Sequence, residues 1–406
     1  MYLMRAHVRI HAYDRERKER IMKRNHIIGF DAKHANRGNT SQGSYARFII
    51  EALAVACPQN SYFRMYIESE QEHSDFEALA EHHNVEAMLP DGLLWRKVSG
   101  LWRLSRVSHD LKQGGVELYH ALSGIVPYGL QRRGIRSVAT VHNLEFLRLR
   151  SLFDPLQNFY RRVMIYSSMC RADRIIAVSD HIKREIVRYF HIDPEKIDVI
   201  HLGCHRRFSE PITEEQYAEV SERYGLPERY LLVAGTQSEK KNLSDIIETM
   251  PMLDKSLHLV IAGRATVHTK HMLRRVESLG LGDRVHVLYG VAAEDMPMLY
   301  KGAEAYIMLS KYEGFSSTIV EAITVGVPVI AAKGSSLEEA GGPSSIYIDG
   351  TNREALASAI RSVVSDMELR ERMIREGREF SSRFRHEVVA YNVINCYKRI
   401  GVDIGE

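Results

Sequence analysis

The sequence predicts an α/β protein of two domains, each built on a parallel sheet whose strands alternate with helices. Its 406 residues are many for one core and suit two domains of about 150 to 200 residues. A short apolar strand, a glycine-containing loop and a helix follow one another twice, from Ile27 and from Tyr230. Residues 305–309 and 327–332 are too short and too continuously apolar for exposed helices, which indicates parallel strands covered on both faces.

The composition excludes several classes of protein. Hydrophobic residues make up 45% and charged residues 26% of the chain, as in an ordinary soluble globular protein. The net charge of +3 is too small to indicate nucleic-acid binding. The four cysteines lie far apart without a C-x-x-C pair, which predicts reduced thiols rather than disulfides or a zinc site. No apolar run has membrane-spanning length and no signal peptide is evident, so we expect a cytoplasmic protein.

The N-terminal part begins with a basic segment. Residues 1–24 carry eight Lys or Arg against three Asp or Glu, and we expect an extension that precedes a first domain at 25–205. Residues 27–31 are predicted to form the first strand. Gly43 is predicted to lie in the polar loop after it, and a helix is predicted to begin at Tyr45. The dinucleotide fingerprint G-x-G-x-x-G is absent, so an NAD-binding interpretation has no motif support.

Residues 94–112 predict a basic amphipathic helix. They contain both tryptophans of the chain, Trp95 and Trp102, with leucines and valines at helical spacing and five Lys or Arg among them. Two interpretations remain open. The apolar face packs on the sheet, or it lies on an anionic membrane surface, which would place the protein peripherally on the inner face of the membrane.

Two strands that end in histidine follow, at residues 116–120 and 137–142. After the next strand, Ser179 predicts the N-cap of a charged helix. We expect the interdomain linker within 203–227, a second domain at 228–385 and a last helix within 386–406. In the second domain, strands are predicted at 230–234, 257–263 and 284–288.

The sequence around residues 313–321 predicts a strand–loop–helix turn. Thr318 is the predicted N-cap of the helix, and Glu321, three residues further on, completes a capping box. A helix N-terminus beyond the carboxyl end of a parallel strand offers free amides to an anion such as a phosphate.

The spacing of Glu313 and Glu321 is part of a longer pattern. They stand eight residues apart in EGFSSTIVEA, which GVPVIAA follows. This run resembles the signature of family 4 of the retaining glycosyltransferases, the group 1 enzymes that include bacterial mannosyltransferases, where EGFG-x-x-x-x-E-A precedes G-x-P-V-I-A. Ser316 replaces the family glycine. The resemblance covers residues 26–400 and implies the GT-B fold: two Rossmann-like α/β domains facing across a cleft, with the C-terminal helix crossing back to the N-terminal domain.

The same resemblance implies roles for individual residues. His142 in ATVHNLEF would face the donor sugar, and Lys241 in GTQSEKKNL would bind the donor diphosphate. Glu313 would hold sugar hydroxyls and Glu321 the ribose hydroxyls. His142, Glu313 and Lys241 form the implied catalytic set. The implied donor-binding set is Gly43, Thr236, Lys241, Gly290, Val291, Gly314, Phe315, Ser316, Ser317, Thr318 and Glu321.

The function implied is that of a retaining hexosyltransferase. The absence of a D-x-D motif agrees with metal-independent transfer, and no cofactor is expected beyond the nucleotide-sugar co-substrate. The resemblance suggests mannose from GDP-mannose as donor, with a glycan or polyprenyl-diphosphate-linked acceptor in surface polysaccharide synthesis. Three alternatives stay open: a UDP-sugar donor, a sugar phosphorylase or epimerase of the same fold, and a binding module without catalysis.

Overall fold

The computed structural model describes residues 26–35, 40–58, 61–68, 74–90, 95–96, 98–149 and 153–405. The predicted extension of residues 1–24 lies outside them. The chain forms two compact units, one with the residues up to His201 and from His386 onward, the other with Leu202–Arg385. No helix among the described residues is long and apolar enough to cross a membrane.

The first unit is built on a seven-stranded parallel sheet in the order β3-β2-β1-β4-β5-β6-β7. Its strands are β1 His26–Asp31, β2 Ser61–Tyr66, β3 Val85–Met88, β4 Leu118–Ala121, β5 Arg136–Val141, β6 Arg174–Ala177 and β7 Ile197–Val199. Its helices are α1 Ser41–Ala56, α2 Ser74–Glu81, α3 Ser99–Leu101, α4 Val107–Gln113, α5 Glu145–Arg148, α6 Pro155–Arg171 and α7 Asp180–Phe190. Ser179 caps α7 as predicted, since its hydroxyl accepts from the amide of Ile182 at 3.1 Å.

The second unit is built on a six-stranded parallel sheet in the order β10-β9-β8-β11-β12-β13. Its strands are β8 Tyr230–Ala234, β9 His258–Ala262, β10 Val285–Leu288, β11 Ala303–Met308, β12 Val329–Ala332 and β13 Ile346–Ile348. Its helices are α8 Glu214–Tyr224, α9 Leu243–Thr249, α10 Thr269–Ser278, α11 Met296–Lys301, α12 Ser317–Val325, α13 Leu337–Gly341, α14 Arg353–Ser365 and α15 Met367–Ser381. All residues of β8 and β12 are buried, as continuous apolar strands predict.

The last helix, α16 His386–Lys398, belongs to the first unit although it follows the second in sequence. It packs on α1, where the rings of His386 and Phe48 lie 4.1 Å apart. The Tyr397 hydroxyl bonds Nδ1 of His120 at 2.7 Å. The predicted crossing of the C-terminal helix to the N-terminal domain is therefore confirmed.

Residues 203–227, which the sequence predicts as the linker, contain α8. This helix packs on α11 of the second unit, and Arg223 bonds Asp295 there at 2.8 Å. The structure thus places the predicted linker helix inside the second unit.

The segment 94–112 does not form one regular helix. A π-helical turn, Trp102–Arg106, separates α3 from α4 and rotates the following side chains relative to a plain helix. Trp102 is 1% exposed and donates to the Asp110 carboxylate at 2.6 Å, while Arg103 is buried against Glu68 at 2.6 Å. The predicted membrane-facing side is wrong for these residues, because its central tryptophan and one of its arginines form part of the core.

Candidate functional site

Two neighbouring strands of the second unit, β8 and β11, lie where the strand order of the sheet reverses. The order β10-β9-β8-β11-β12-β13 reverses between β8 and β11, and ligands of open α/β sheets bind beyond the carboxyl ends of strands at such a point. The loop after β8 contains Thr236 and Lys241, and the loop after β11 contains Glu313. The backbone joins the two loops, since the Lys311 amide donates to the Lys240 carbonyl at 2.8 Å.

Lys241 and Glu313 form an ion pair between these loops. Nζ of Lys241 lies 3.0 Å from Oε1 of Glu313, and both side chains are mostly buried, with 14% and 13% exposed. Nζ of Lys240 lies 3.7 Å from the other carboxylate oxygen. Burial alone raises the pKa of Glu313, but the two lysines outweigh it and hold the pKa below its usual value. Glu313 is therefore a charged counter-ion to the lysines at neutral pH.

The predicted capping box of α12 is wrong. Ser316 is the N-cap, and its hydroxyl accepts from the Ile319 amide at 3.4 Å and contacts the Thr318 hydroxyl at 3.1 Å. The helix therefore begins at Ser317. Serine at position 316 supplies a capping oxygen that glycine lacks. The amides of Ser317 and Thr318 are the first two of the helix, for which an α-helix provides no internal acceptor.

Glu321 bonds an element other than its own helix. Its Oε2 accepts from the Tyr300 hydroxyl of α11 at 3.0 Å. Burial raises the pKa of Glu321 to about 7, although Tyr300, Arg207 and Lys241 each act to lower it. The carboxyl group thus titrates near neutral pH. Sequence reasoning missed Tyr300, because no local pattern links a residue of α11 to one of α12.

The other predicted binding residues of the second unit lie at the same edge of its sheet. Gly314 and Phe315 are buried, and the Phe315 ring packs edge-on against Phe384 with 5.7 Å between centroids. Thr236 is half-buried. Gly290, with φ of +67°, and Val291 follow β10, the edge strand.

A close approach of two loops shapes this edge. A Cβ atom at Gly263 would lie 1.8 Å from the carbonyl oxygen of Gly235, so only glycine fits at position 263. The Gly235 amide donates to the Ala262 carbonyl at 2.9 Å. These contacts fix the start of the loop that carries Lys241.

His142 and Gly43 belong to the first unit. His142 follows β5, and its Nε2 lies 2.7 Å from the Leu122 carbonyl. A carbonyl only accepts, so Nε2 carries the proton and Nδ1 is left as an acceptor. Burial lowers the pKa of His142 to about 4, against the effect of the Leu122 carbonyl, and the ring is neutral at pH 7. The Tyr45 ring packs edge-on against it at 4.6 Å.

Gly43 is not in the loop predicted for it. It is the third residue of α1, and its amide donates to the hydroxyl of Thr40, the N-cap, at 3.1 Å. The helix therefore begins before Tyr45. Since Thr40 already uses this amide, Gly43 has no backbone donor left for a ligand.

A buried network that sequence reasoning did not predict supports the His142 region. His120 bonds Tyr397 through Nδ1 at 2.7 Å and Thr140 through Nε2 at 2.8 Å. The Thr140 hydroxyl also contacts that of Tyr45 at 3.0 Å. Burial lowers the pKa of His120 to about 3, which keeps the ring neutral. His120 is thus a structural link between β4, β5 and α16.

Comparison with known proteins identifies the family. The model described as Glycosyltransferase Family 4 matches residues 65–207, and the model described as Glycosyl transferases group 1 matches residues 218–380, about three quarters of the chain together. The chain belongs to the group 1 glycosyltransferases of family 4.

Relatives of this glycosyltransferase match it over much of its length. It is 25% identical over 371 residues to the O-antigen chain mannosyltransferase B of Escherichia coli, across 88% of this chain and 96% of that protein. It is 24% identical to the O-antigen chain mannosyltransferase RfbU of Salmonella typhimurium, across 64% and 67% of the two chains.

Solved structures share the fold of this glycosyltransferase. The sucrose-phosphate synthase from Thermosynechococcus elongatus superposes with a TM-score of 0.75 at 20% identity, across 93% of this chain and 99% of that one. The Anabaena protein HepE, in complex with UDP and glucose, gives a TM-score of 0.73 at 17% identity, across 92% and 100%. The predicted GT-B class of two Rossmann-like α/β domains is confirmed. The roles of the individual site residues stay predictions.

Proposed function

We propose that this glycosyltransferase transfers mannose from GDP-mannose, with retention of the anomeric configuration, to a glycan or polyprenyl-diphosphate-linked glycan in surface polysaccharide synthesis. The observation that carries the proposal is the Lys241–Glu313 pair beside the first amides of α12. It combines a cation, a helix N-terminus and a carboxylate at the switch point of a parallel sheet. The names of the Escherichia coli and Salmonella relatives support mannose and O-antigen-type acceptors.

The proposed mechanism follows the charges that develop during transfer. Positive charge grows on the anomeric carbon and negative charge on the departing diphosphate. Lys241 and the amides of Ser317 and Thr318 would stabilise the diphosphate, which is electrostatic preorganisation. In this proposal they take the place of a metal ion.

In the proposed mechanism Glu313 and Glu321 bind the donor, and neither acts as a nucleophile. Glu313, a charged partner of lysine, would accept from sugar hydroxyls, and Glu321 would accept from the ribose hydroxyls. Retaining hydrolases instead hold two carboxyl groups about 5 Å apart across the scissile bond, one of them as nucleophile. We propose that the acceptor hydroxyl enters on the face that the diphosphate leaves, with His142 against the transferred sugar.

A thermal-shift screen of GDP-, UDP- and ADP-sugars tests the donor. GDP-mannose is expected to raise the unfolding midpoint most, because a ligand that binds only the folded state stabilises it by about 2.7 kcal/mol at a hundredfold excess over Kd. A shift produced by a UDP-sugar alone would overturn the mannose assignment; the UDP bound to the Anabaena protein makes this the competing outcome.

The products separate transfer from the alternative reactions. With GDP-mannose and a mannose-terminated acceptor, we expect GDP release to depend on the acceptor. We expect the one-bond carbon–proton coupling at the new anomeric carbon to show retention. Acceptor-independent release of free sugar would indicate an epimerase-type reaction. Absorbance between about 330 and 420 nm in the purified protein would indicate a pyridoxal phosphorylase, in which a lysine forms a Schiff base.

His142→Ala is expected to lower kcat by at least about tenfold, roughly 1.4 kcal/mol, with a smaller effect on nucleotide-sugar affinity. The reason is that the ring is proposed to contact the sugar and not the base. Calorimetry of GDP-mannose and of GDP beside steady-state kinetics makes the comparison. Because the pKa of His142 is lowered to about 4, its titration should not appear in the rate profile between pH 6 and pH 8. An equal loss of affinity and turnover would contradict this placement.

A further inference from the structure

Helix α6, Pro155–Arg171, presents apolar side chains to solvent along most of its length. Of its 17 residues only Ser168 and Met169 are buried. Five large side chains are exposed at spacings of one or three residues, with exposed fractions of 76, 66, 59, 46 and 45%: Leu156, Phe159, Tyr160, Val163 and Tyr166. At 3.6 residues per turn these five lie on one side of the helix. We call them the α6 stripe.

Polar contacts hold α6 to the first unit from its other side. The Ser168 hydroxyl accepts from the Val126 amide and donates to the Gly124 carbonyl, both at 2.6 Å. The Asn158 amide group donates to the Phe146 carbonyl at 2.8 Å. Met169, on that inward side, is buried as well, so α6 has apolar side chains on both sides, whereas an ordinary surface helix has them on the side that faces the core. An apolar stripe left outward on a helix that is anchored by hydrogen bonds requires a partner to cover it.

The charged residues of α6 itself are all basic. Residues 155–171 contain three arginines and no acidic residue, and Asp154, the N-cap, is the acidic residue that precedes them. Arg161 and Arg162 are exposed. Arg162 lies beside the stripe, about 40° around the helix from Tyr166, whereas the Arg161 guanidinium lies over the Phe153 ring at 5.2 Å. At the C-terminal end of α6, Arg171 lines a cavity of about 320 Å³ with Arg132 and Arg133, and no acidic side chain lines it.

We propose that the α6 stripe lies on an anionic lipid surface. Exposed leucine, valine and aromatic side chains enter the boundary between headgroups and acyl chains, and flanking arginines bind anionic headgroups. A second copy of this chain fits the charges poorly, because a symmetric contact through the same stripe would bring the arginine pairs of two copies together. The proposal places the surface contact on α6 instead of residues 94–112, and it does not depend on which sugar is transferred.

Co-sedimentation of the full chain with vesicles tests the proposal. Phosphatidylcholine vesicles with about 30 mol % phosphatidylglycerol should bind the protein, and pure phosphatidylcholine vesicles should bind it much less. Binding should weaken between about 50 mM and about 500 mM NaCl, because salt screens the arginines. The double variant Arg161→Glu and Arg162→Glu should partition at least about 25-fold less, since each basic residue near such a surface contributes about fivefold.

Two further variants separate the stripe from general surface effects. Leu156→Ser with Phe159→Ser should also lose binding. Leu101→Ser with Arg106→Glu is the matched control, because Leu101 is 63% exposed and Arg106 is exposed in the segment 94–112, and it should bind like the wild type. The changed side chains are all exposed, and unchanged circular dichroism and unchanged nucleotide-sugar thermal shifts verify folding.

The outcomes are decisive in either direction. Loss of binding in both α6 variants, with retention in the control, supports the proposal. Absence of wild-type binding to anionic vesicles at low salt overturns it, as does equal binding by the α6 variants. A wild-type dimer in light scattering that Leu156→Ser with Phe159→Ser converts to monomer would overturn it in favour of a second copy. None of these results depends on the donor screen.

Discussion

Replacing Lys241 with alanine is expected to lower kcat by about 100- to 1,000-fold, the effect of removing one preorganised donor from a developing anion. The loss should exceed any loss of donor affinity, because the charge on the leaving diphosphate is greatest in the transition state. Steady-state kinetics and calorimetry with the same nucleotide-sugar measure the two quantities. Lys240→Ala is the matched control. It removes the neighbouring lysine of the same loop, whose Nζ lies 3.7 Å from the Glu313 carboxylate, whereas that of Lys241 lies 3.0 Å away. Lys240→Ala should therefore lower kcat less than Lys241→Ala does.

The ion pair gives this prediction a second readout. Lys241→Ala leaves the Glu313 carboxylate, only 13% exposed, with the more distant Lys240 as its cation, so the unfolding midpoint should fall. Adding Glu313→Gln should recover much of that stability without recovering turnover, because the proposed diphosphate ligand is still absent. Glu313→Gln alone should also lower turnover at least about tenfold. A larger loss for Lys240→Ala than for Lys241→Ala would assign the diphosphate to Lys240, and near-normal turnover in both would remove the loop from the mechanism.

Replacing Glu321 with glutamine is expected to lower turnover at least about tenfold and to stabilise the free protein above pH 7. Burial raises the pKa of Glu321 to about 7, so the folded state binds more protons than the unfolded chain between about pH 4.5 and pH 7. The stability of the wild type should therefore fall as pH rises through this window, and the full penalty is present above it. The size of this penalty is on the order of 3 kcal/mol, because each pKa unit corresponds to about 1.4 kcal/mol.

Glutamine has no charged form, and its carbonyl can still accept from Tyr300. Chemical denaturation at about pH 5 and about pH 8 should show a gain for Glu321→Gln only at the higher pH. The exposed residue Glu371 provides the control, since Glu371→Gln should change neither turnover nor the pH dependence. Wild-type affinity for the nucleotide-sugar should also rise through about pH 7, where the carboxylate forms, and this rise should be absent in Glu321→Gln. An active Glu321→Gln would reduce Glu321 to a structural residue.

A buried carboxylate whose charged form destabilises the protein, as proposed for Glu321, is typical of a binding site and not of a residue that only supports the fold. A protein selected only for stability would place an uncharged side chain at position 321, because Tyr300 needs only an acceptor. Lys241 and Glu313 differ from Glu321 in that each neutralises the charge of the other before a ligand binds. The donor diphosphate is expected to compete with Glu313 for the lysine, which frees the carboxylate to accept from sugar hydroxyls.

The sequence by itself determined the architecture, and its resemblance to the family signature gave the positions of the proposed site residues along the chain. Continuous apolar runs such as 230–234 and 327–332 and the glycine loops after strands report local structure, since a strand buried on both faces needs every side chain apolar. The E-x7-E spacing and the loop GTQSEKKNL located Glu313, Glu321 and Lys241 without any knowledge of contacts.

Only the tertiary structure decided which groups meet. Glu321 bonds Tyr300 instead of capping its own helix, Ser316 takes the cap, and Gly43 lies inside a helix. The tertiary structure also decided which apolar helical side chains are buried: Trp102 is 1% exposed, while Phe159 is 66% exposed. The physical reason is that sequence periodicity shows a side chain's direction around its own helix, whereas the partner in that direction depends on elements distant in the chain.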